Sequence, residues 1–365
     1  MTNGTGSGCS AGAATSSGAC GIASKVTWVA RRRGFDVRAV DRLSAMPTKL
    51  ILDVDTGTDD AVALMLATLH PDLELIGATT VNGNVPVEFC TENSLRVFQY
   101  IGIPVPVYEG VTRPIARADF PTPRADIQST SAVHGQYLDI PPATSKKEAT
   151  GAVEFLVETY RAATDEIVLV PVGPLSNIAT ALSVEPRLSD LIPEIVIMGG
   201  ANRYGNVTPR AEFNVWADPE AARMVLNSGI RRITLVPLDA THRALVSLDD
   251  CAALRGLGTP AGEAAARFTE RRIEGYDTTQ PMSRPHAAPV HDALAVASIV
   301  DPTVIATQFL HVDVETHGEL TVGETVVDTN FRSGRDPNVH VALDADESKF
   351  VAMLVETFAR NTPTS

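Results

Sequence analysis

The sequence contains no C-x-x-C pair, no long apolar run, no surplus of basic charge and no internal repeat. Its four cysteines, Cys9, Cys20, Cys90 and Cys251, lie far apart. That spacing excludes a zinc ribbon or a disulfide framework and leaves free thiols, the usual state in the cytoplasm, as the expectation. No apolar stretch approaches the roughly 20 residues of a membrane helix, so no membrane partner is expected. Lys and Arg number 30 against 44 Asp and Glu, a net charge of −14. A nucleic-acid backbone needs the opposite sign and is excluded as a partner, whereas a hard cation bound by carboxylates is not. The N-terminus also lacks a basic patch followed by an apolar core, the mark of a secretory signal.

What is present divides near Met46. Residues 1–24 are rich in Gly, Ser, Ala and Thr. Residues 1–45 carry six Lys/Arg and two Asp/Glu, a net +4, so the remainder carries 24 against 42, a net −18. Such low complexity cannot bury enough surface to offset chain entropy. Residues 1–45 are therefore expected to be a disordered extension or the product of an upstream start codon, and 46–365 a folded domain. From Lys49 onward apolar runs alternate with helical patterns. "KLILDV", "LELIGATTV", "PVPVY", "EIVLVPV", "PEIVIMGG" and "RRITLVPLD" read as strands. "TDDAVALMLATLH", with Thr58 as its N-cap, 86–100, "GAVEFLVETYRAA", "PLSNIATALSV", "DPEAARMVLNSG" closed by Gly229, and "HDALAVASIV" read as helices. The C-terminal part predicts a hairpin "QFLHVDVE…GETVVDT", a strand "NVHVAL" and a last helix near 345–360. Residues 112–147 read as a long loop. The alternation implies an α/β domain with a mostly parallel central sheet flanked by helices. Ligands in such folds bind at the carboxyl ends of the strands, where "NGN" (82–84), "PVGPLSN" (171–177), "MGG" (198–200) and "PLDATH" (237–242) all fall.

Asp53, Asp55, Asp59 and Asp60 crowd that edge after the first strand, in "ILDVDTGTDDA". Four carboxylates so close repel one another unless a counter-charge joins them. An oxygen-only cage suits calcium better than zinc. An acid-rich helix cap is the plainer reading for two aspartates, but four beside Gly57 exceed what a cap uses. The frame is not an EF-hand, which needs Gly at its sixth position and Glu at its twelfth. Nor is it the D-x-D-x-T of haloacid-dehalogenase-like phosphatases, because Gly57 stands where Thr is required.

The cluster resembles the D-x-D-x-G-x-D-D motif of the nucleoside hydrolases, the inosine–uridine preferring family. The likeness continues in order through "TTVNGN", "VPVGPLSNIA", "IVIMGG", "AEFNVWADPEAA", "PLDATH" and "PVHDALAV", and spans residue 46 to the C-terminus. The resemblance implies a Rossmann-like nucleoside hydrolase fold that hydrolyses the N-glycosidic bond of ribonucleosides to free base and ribose, in base salvage. It further implies a Ca2+ ion held by Asp55, Asp60, Asp292 and the backbone carbonyl of Val172, a place where relatives usually carry Thr. Asp55 is the implied general base toward a metal-activated water, and His291 the implied acid for the leaving base. Asp59, Asn84 and Asn214 are expected on the ribose 2′- and 3′-hydroxyls, Asn206 and Glu212 on the 5′-hydroxyl, and Met198 and His134 elsewhere along the substrate. His242 reads as packing. Thr56 replaces a common Pro. In "EGYDTTQPMSRPHAAP", a Pro-rich lid segment without an aromatic pattern, Tyr276 and Arg284 are the candidate base contacts. A homodimer or homotetramer is implied as well. Two alternatives are a metal-dependent hydrolase of another substrate, such as a phosphomonoester, and a non-catalytic nucleoside-binding relative. The first would want Lys or Arg beside the metal, and the motif blocks contain neither. The second would have lost its proton-handling groups, yet Asp55 and His291 are present.

Overall fold

A computed structural model of the chain describes residues 46–122 and 133–362. The expected extension, 1–45, lies outside the described residues, as does 123–132 of the long loop. Among the described residues there are twelve strands: β1 (Thr48–Val54), β2 (Leu73–Thr80), β3 (Val107–Glu109), β4 (Ile167–Pro171), β5 (Glu194–Met198), β6 (Ile233–Val236), β7 (Leu245–Ser247), β8 (Ala287–Pro289), β9 (Ile305–Leu310), β10 (Val312–Val314), β11 (Thr325–Val327) and β12 (Val339–Ala345). Eight of them form one sheet in the order β3-β2-β1-β4-β5-β6-β12-β9. Every pairing in it is parallel except β12 with β9, which is antiparallel and ends the sheet.

Why the strands read as unbroken apolar runs is visible in β1. Leu50, Leu52 and Val54 pack into the hydrophobic cluster on one face, and Ile51 into the cluster on the other. In β4, Val168 and Val170 go one way, Ile167 and Leu169 the other. Both faces are covered by helices, so alternation of side chains across the pleat demands apolar residues at every position. The chain runs β1, β2, β3 toward one edge and then returns to β4 beside β1. The order of winding reverses between β1 and β4, which opens a crevice at their carboxyl ends.

Several boundaries differ from the expectations. The first helix is Thr58–Leu69 with Gly57, not Thr58, as its N-cap. Asp60 does the capping by accepting the Gly57 N–H at 2.9 Å. The helix Pro219–Leu226 ends on Asn227, two residues before Gly229. "QFL" lies in β9 at the sheet edge, and the hairpin is β10 with β11. Two helices, Leu248–Gly256 and Pro260–Thr279, were not anticipated. The second takes in "EGYDTT", the first part of the expected lid. Among the described residues no helix is long and apolar enough to cross a membrane. Cys90 and Cys251 are buried, Cys90 Sγ donating to the Val85 carbonyl at 3.2 Å, and burial pushes Cys251 up to about 12; Cys9 and Cys20 lie outside the described residues.

Candidate active site

The crevice holds a cleft with about 610 Å³ of empty space, its open mouth included. Its floor is the turn after β1. Asp60 accepts N–H groups from Asp55 (3.0 Å) and Gly57 (2.9 Å) and so fixes the turn onto the helix that follows. Thr56, in place of the usual Pro, is pinned by other means: its Oγ1 is 2.6 Å from Ser94 Oγ, and its carbonyl accepts from Asn93 Nδ2 at 3.0 Å.

The four aspartates take different roles. Asp53 points away from the cleft, accepting from Thr79 Oγ1 (2.5 Å) and Asn177 Nδ2 (2.7 Å). Asp55 lines the cleft and accepts the Asn84 N–H at 2.6 Å. Gly83 is required beside it, because a Cβ there would overlap Asp55 Oδ2. Asp59, Asp60 and Asp292 converge, each offering one carboxylate oxygen within 4.8 Å of the others. Asp292 arrives from the start of the helix His291–Val300. Burial, and then the charges of their neighbours, push Asp55 and Asp292 well above the ordinary carboxylate range and Asp60 to about 6. Buried carboxylates in such mutual repulsion are short of positive charge.

The donor set fits a hard dication. It is all oxygen and buried, and Asp59 Oδ1 is a buried acceptor without a hydrogen bond. Arg272 Nη1 lies 2.7 Å from that oxygen and gives it one ion pair. Of the expected ligands, Asp60 and Asp292 are in the converging group, together with Asp59. Asp55 sits alongside, and the Val172 carbonyl accepts Asn214 Nδ2 at 2.7 Å.

The other expected residues also line the cleft: Asn84, His134, Val172, Met198, Asn206, Glu212, Asn214 and His291. Glu212 N-caps the short helix Phe213–Ala217 through the Asn214 and Val215 N–H groups, and its Oε2 also accepts the Gly200 N–H at 2.8 Å. Burial, outweighing these hydrogen bonds, raises it to about 7. Asn206 Oδ1 accepts the Phe213 N–H at 3.0 Å. Asn214 Nδ2 also donates to the Met198 carbonyl at 3.2 Å, tying the ends of β4 and β5 to this helix. His134 lowers to about 4 through burial, with Arg272 and Arg271 adding to the effect. Its Nδ1 accepts the Thr58 N–H at 3.3 Å.

His291 is the centre of a short chain: Nε2 is 2.6 Å from Tyr276 Oη, and Nδ1 is 2.7 Å from Thr241 Oγ1. Burial, then the positive or titrating neighbours Arg272, His242 and His134, push it well below the ordinary imidazole range. The ring is therefore neutral near pH 7, one nitrogen donating and the other accepting. Tyr276 is thus part of the site. Arg284 is not: it pairs with Glu347 (2.8 Å) and the Leu245 carbonyl (3.1 Å).

Arg272 was missed altogether. It is 1% exposed. Its Nε donates to the Pro289 carbonyl at 2.9 Å and its Nη1 to Thr58 Oγ1 at 3.2 Å. Burial opposes its charge, but Asp59, Tyr276, Asp292 and Asp60 outweigh that and hold its pKa above the ordinary value. The absence of a cation from the motif blocks is thus no argument about the pocket, because this one comes from outside them.

Comparison with known proteins settles the family. Residues 50–352 match the family described as inosine-uridine preferring nucleoside hydrolase. The chain is 38% identical over 312 residues to the pyrimidine-specific ribonucleoside hydrolase RihB of Escherichia coli (strain SE11), covering 84% of this chain and 96% of that protein. It superposes on the purine-preferring ribonucleoside hydrolase from Gardnerella vaginalis with a TM-score of 0.78 at 34% identity, covering 86% and 98% of the two chains. For the inosine-guanosine nucleoside hydrolase the TM-score is 0.72 at 28% identity, over 85% and 98% of the two chains. The chain belongs to the inosine-uridine preferring nucleoside hydrolase family and hydrolyses the N-glycosidic bond of ribonucleosides.

Proposed function

We propose that this hydrolysis depends on Ca2+ held by Asp59, Asp60 and Asp292, with Asp55 and the Val172 carbonyl completing the cage. The observation that carries the reading is the convergence of three buried carboxylates, drawn from segments more than 200 residues apart, on the floor of the crevice. A dication bound there supplies positive charge that makes an adjacent water easier to deprotonate and anchors vicinal hydroxyls.

The chain's own groups do the rest. Asp55, with a proton affinity raised by burial, accepts the proton of the attacking water. Asn84 and Asn214 hold the ribose 2′- and 3′-hydroxyls beside Asp59. Glu212 and Asn206, across the cleft, hold the 5′-hydroxyl. The surrounding carboxylates stabilise positive charge on the ribose ring as the bond to the base breaks. At the other end the neutral His291–Tyr276 pair delivers a proton to the base. His134 and Met198 shape the wall between. The homodimer or homotetramer implied by the resemblance belongs to this proposal too and is read by light scattering.

The test is direct. Purified protein is incubated with inosine and uridine in Ca2+, and free base and ribose are measured. Release of base, with a loss of about 10²-fold or more in Asp55→Asn, supports the reading. Unchanged rates in that variant, or no dependence on added Ca2+ after chelation, overturn it.

A further inference from the structure

The helix Pro260–Thr279 brings Arg272 and Tyr276 to the cleft at a spacing of four, on one helical face. Nε and Nη1 of Arg272 are committed to Pro289, Thr58 and Asp59. Nη2 makes no hydrogen bond to any described residue. The guanidinium carbon lies 5.5 Å from the centre of the Tyr276 ring, and that tyrosine is the outer member of the His291 chain.

A cation at this place works against the first half of the reaction. Its charge lies 2.7 Å from a carboxylate of the ribose end, where positive charge must build up on the sugar. It helps only where negative charge builds up, on the departing base. When the C1′–N bond breaks, its electron pair passes to the base. In every common nucleobase an sp² acceptor lies one carbon from the glycosidic nitrogen and shares that charge: O2 in pyrimidines, N3 in purines. Water oxygen forms the new bond to C1′, its proton goes to Asp55, and the base leaves neutral after taking a proton at the Tyr276 end. A guanidinium fixed by three contacts and left with one uncommitted nitrogen is built to donate to such an acceptor.

We propose that Arg272 is a catalytic residue for base departure, its Nη2 donating to the acceptor beside the glycosidic nitrogen. Because that acceptor is common to both base classes, the contact serves purine and pyrimidine ribonucleosides alike. The inference rests on the placement of ribose at the carboxylate end proposed above.

The full-length enzyme and its Arg272→Lys and Arg272→Gln variants are assayed in Ca2+ with uridine, inosine and 4-nitrophenyl β-D-ribofuranoside, whose leaving group departs without help. Lys keeps a charge beside Asp59 but has a single nitrogen to share between Asp59 and the base. Both variants are expected to lose about 10²-fold in kcat on uridine and on inosine, and about 5-fold or less on the aryl riboside. Equal losses on all three substrates, full recovery of uridine turnover in Arg272→Lys, or an effect confined to KM would overturn the proposal. Where Arg272→Gln melts below the assay temperature, Arg272→Lys decides. A wild-type enzyme that releases no base from either nucleoside refutes the functional reading itself, whatever the variants do.

Discussion

If the proposed site holds a divalent cation, stripping it is expected to lower thermal stability, and the structure sets the scale. Three carboxylate oxygens lie within 4.8 Å of one another. At an effective dielectric of about 20, each pair at that separation costs about 3.5 kcal/mol, roughly 10 kcal/mol for the three. Arg272, 2.7 Å from Asp59, returns about 6 kcal/mol on the same scale. The remainder, about 4 kcal/mol, is what a bound dication removes. A domain of about 300 residues has an unfolding entropy near 0.6 kcal/mol/K, so Tm should fall by about 6 °C when the ion is taken away. The measurement is a thermal melt at pH 7.5 after treatment with EGTA, repeated as CaCl2 and then MgCl2 are titrated back. Recovery with calcium at lower concentration than magnesium is expected, because an irregular carboxylate cage suits the larger ion. Below pH 6 the difference should shrink, as a proton on Asp60, whose pKa is about 6 without a cation, relieves part of the repulsion. A Tm that neither EGTA nor millimolar calcium moves by more than about 1 °C would refute the electrostatic reasoning as a whole.

Gly83→Ala should lose about 10²-fold in kcat with a small change in Tm, because its Cβ overlaps Asp55 Oδ2 and displaces the base by a fraction of an ångström; steady-state kinetics beside a melt decide it. Deoxyuridine lacking the 2′-hydroxyl should turn over about 10⁴-fold more slowly than uridine, since Asp59, Asn84 and Asn214 are left facing an empty position; comparable rates would place the ribose elsewhere. Glu212 binds a proton more tightly folded (about 7) than in its ordinary state (4.5). Its contribution, about 3 kcal/mol, is fully present below pH 4.5 and is lost as pH rises through 7. The urea midpoint should therefore decline between pH 5 and pH 8, and Glu212→Gln should flatten that decline; an equal slope in the variant assigns it to other groups.

How much of this was legible in the chain depended on the kind of signal each element carried. β1 was read correctly because burial on both faces writes itself as an unbroken apolar run, and the aspartates because so many carboxylates in one turn need a reason. Their partner Asp292 was reached through the resemblance; no local pattern links it to Asp59. The N-cap was misplaced by one residue because Asp60, three positions into the helix, caps backwards onto Gly57, a residue with no side chain to advertise the role. The helix Pro260–Thr279 was overlooked because its charges suggest a solvated segment. In "RFTERRIEGYD" Arg267, Glu270 and Glu274 do face outward, while Phe268, Arg272 and Tyr276 are buried. Those three are spaced by four, so the signal was present, but an arginine in the middle of an apolar stripe reads as an interruption. It becomes intelligible only once the carboxylates of Asp59 and Asp292, remote in sequence, are seen beside it.

The reversal of winding between β1 and β4 has a consequence for biosynthesis. Asp59 and Asp60 leave the ribosome early, and Asp292 follows only after β1 through β6 have been made. Until the helix His291–Val300 docks against Thr58–Leu69, the emerging polypeptide has two negative charges at a helix start and no third to join them. The third carboxylate of the proposed ion site thus arrives only with the last quarter of the translated message. A prematurely terminated product, even one containing the entire first half of the sheet, would lack Asp292 and leave Asp59 and Asp60 as an incomplete acidic pair.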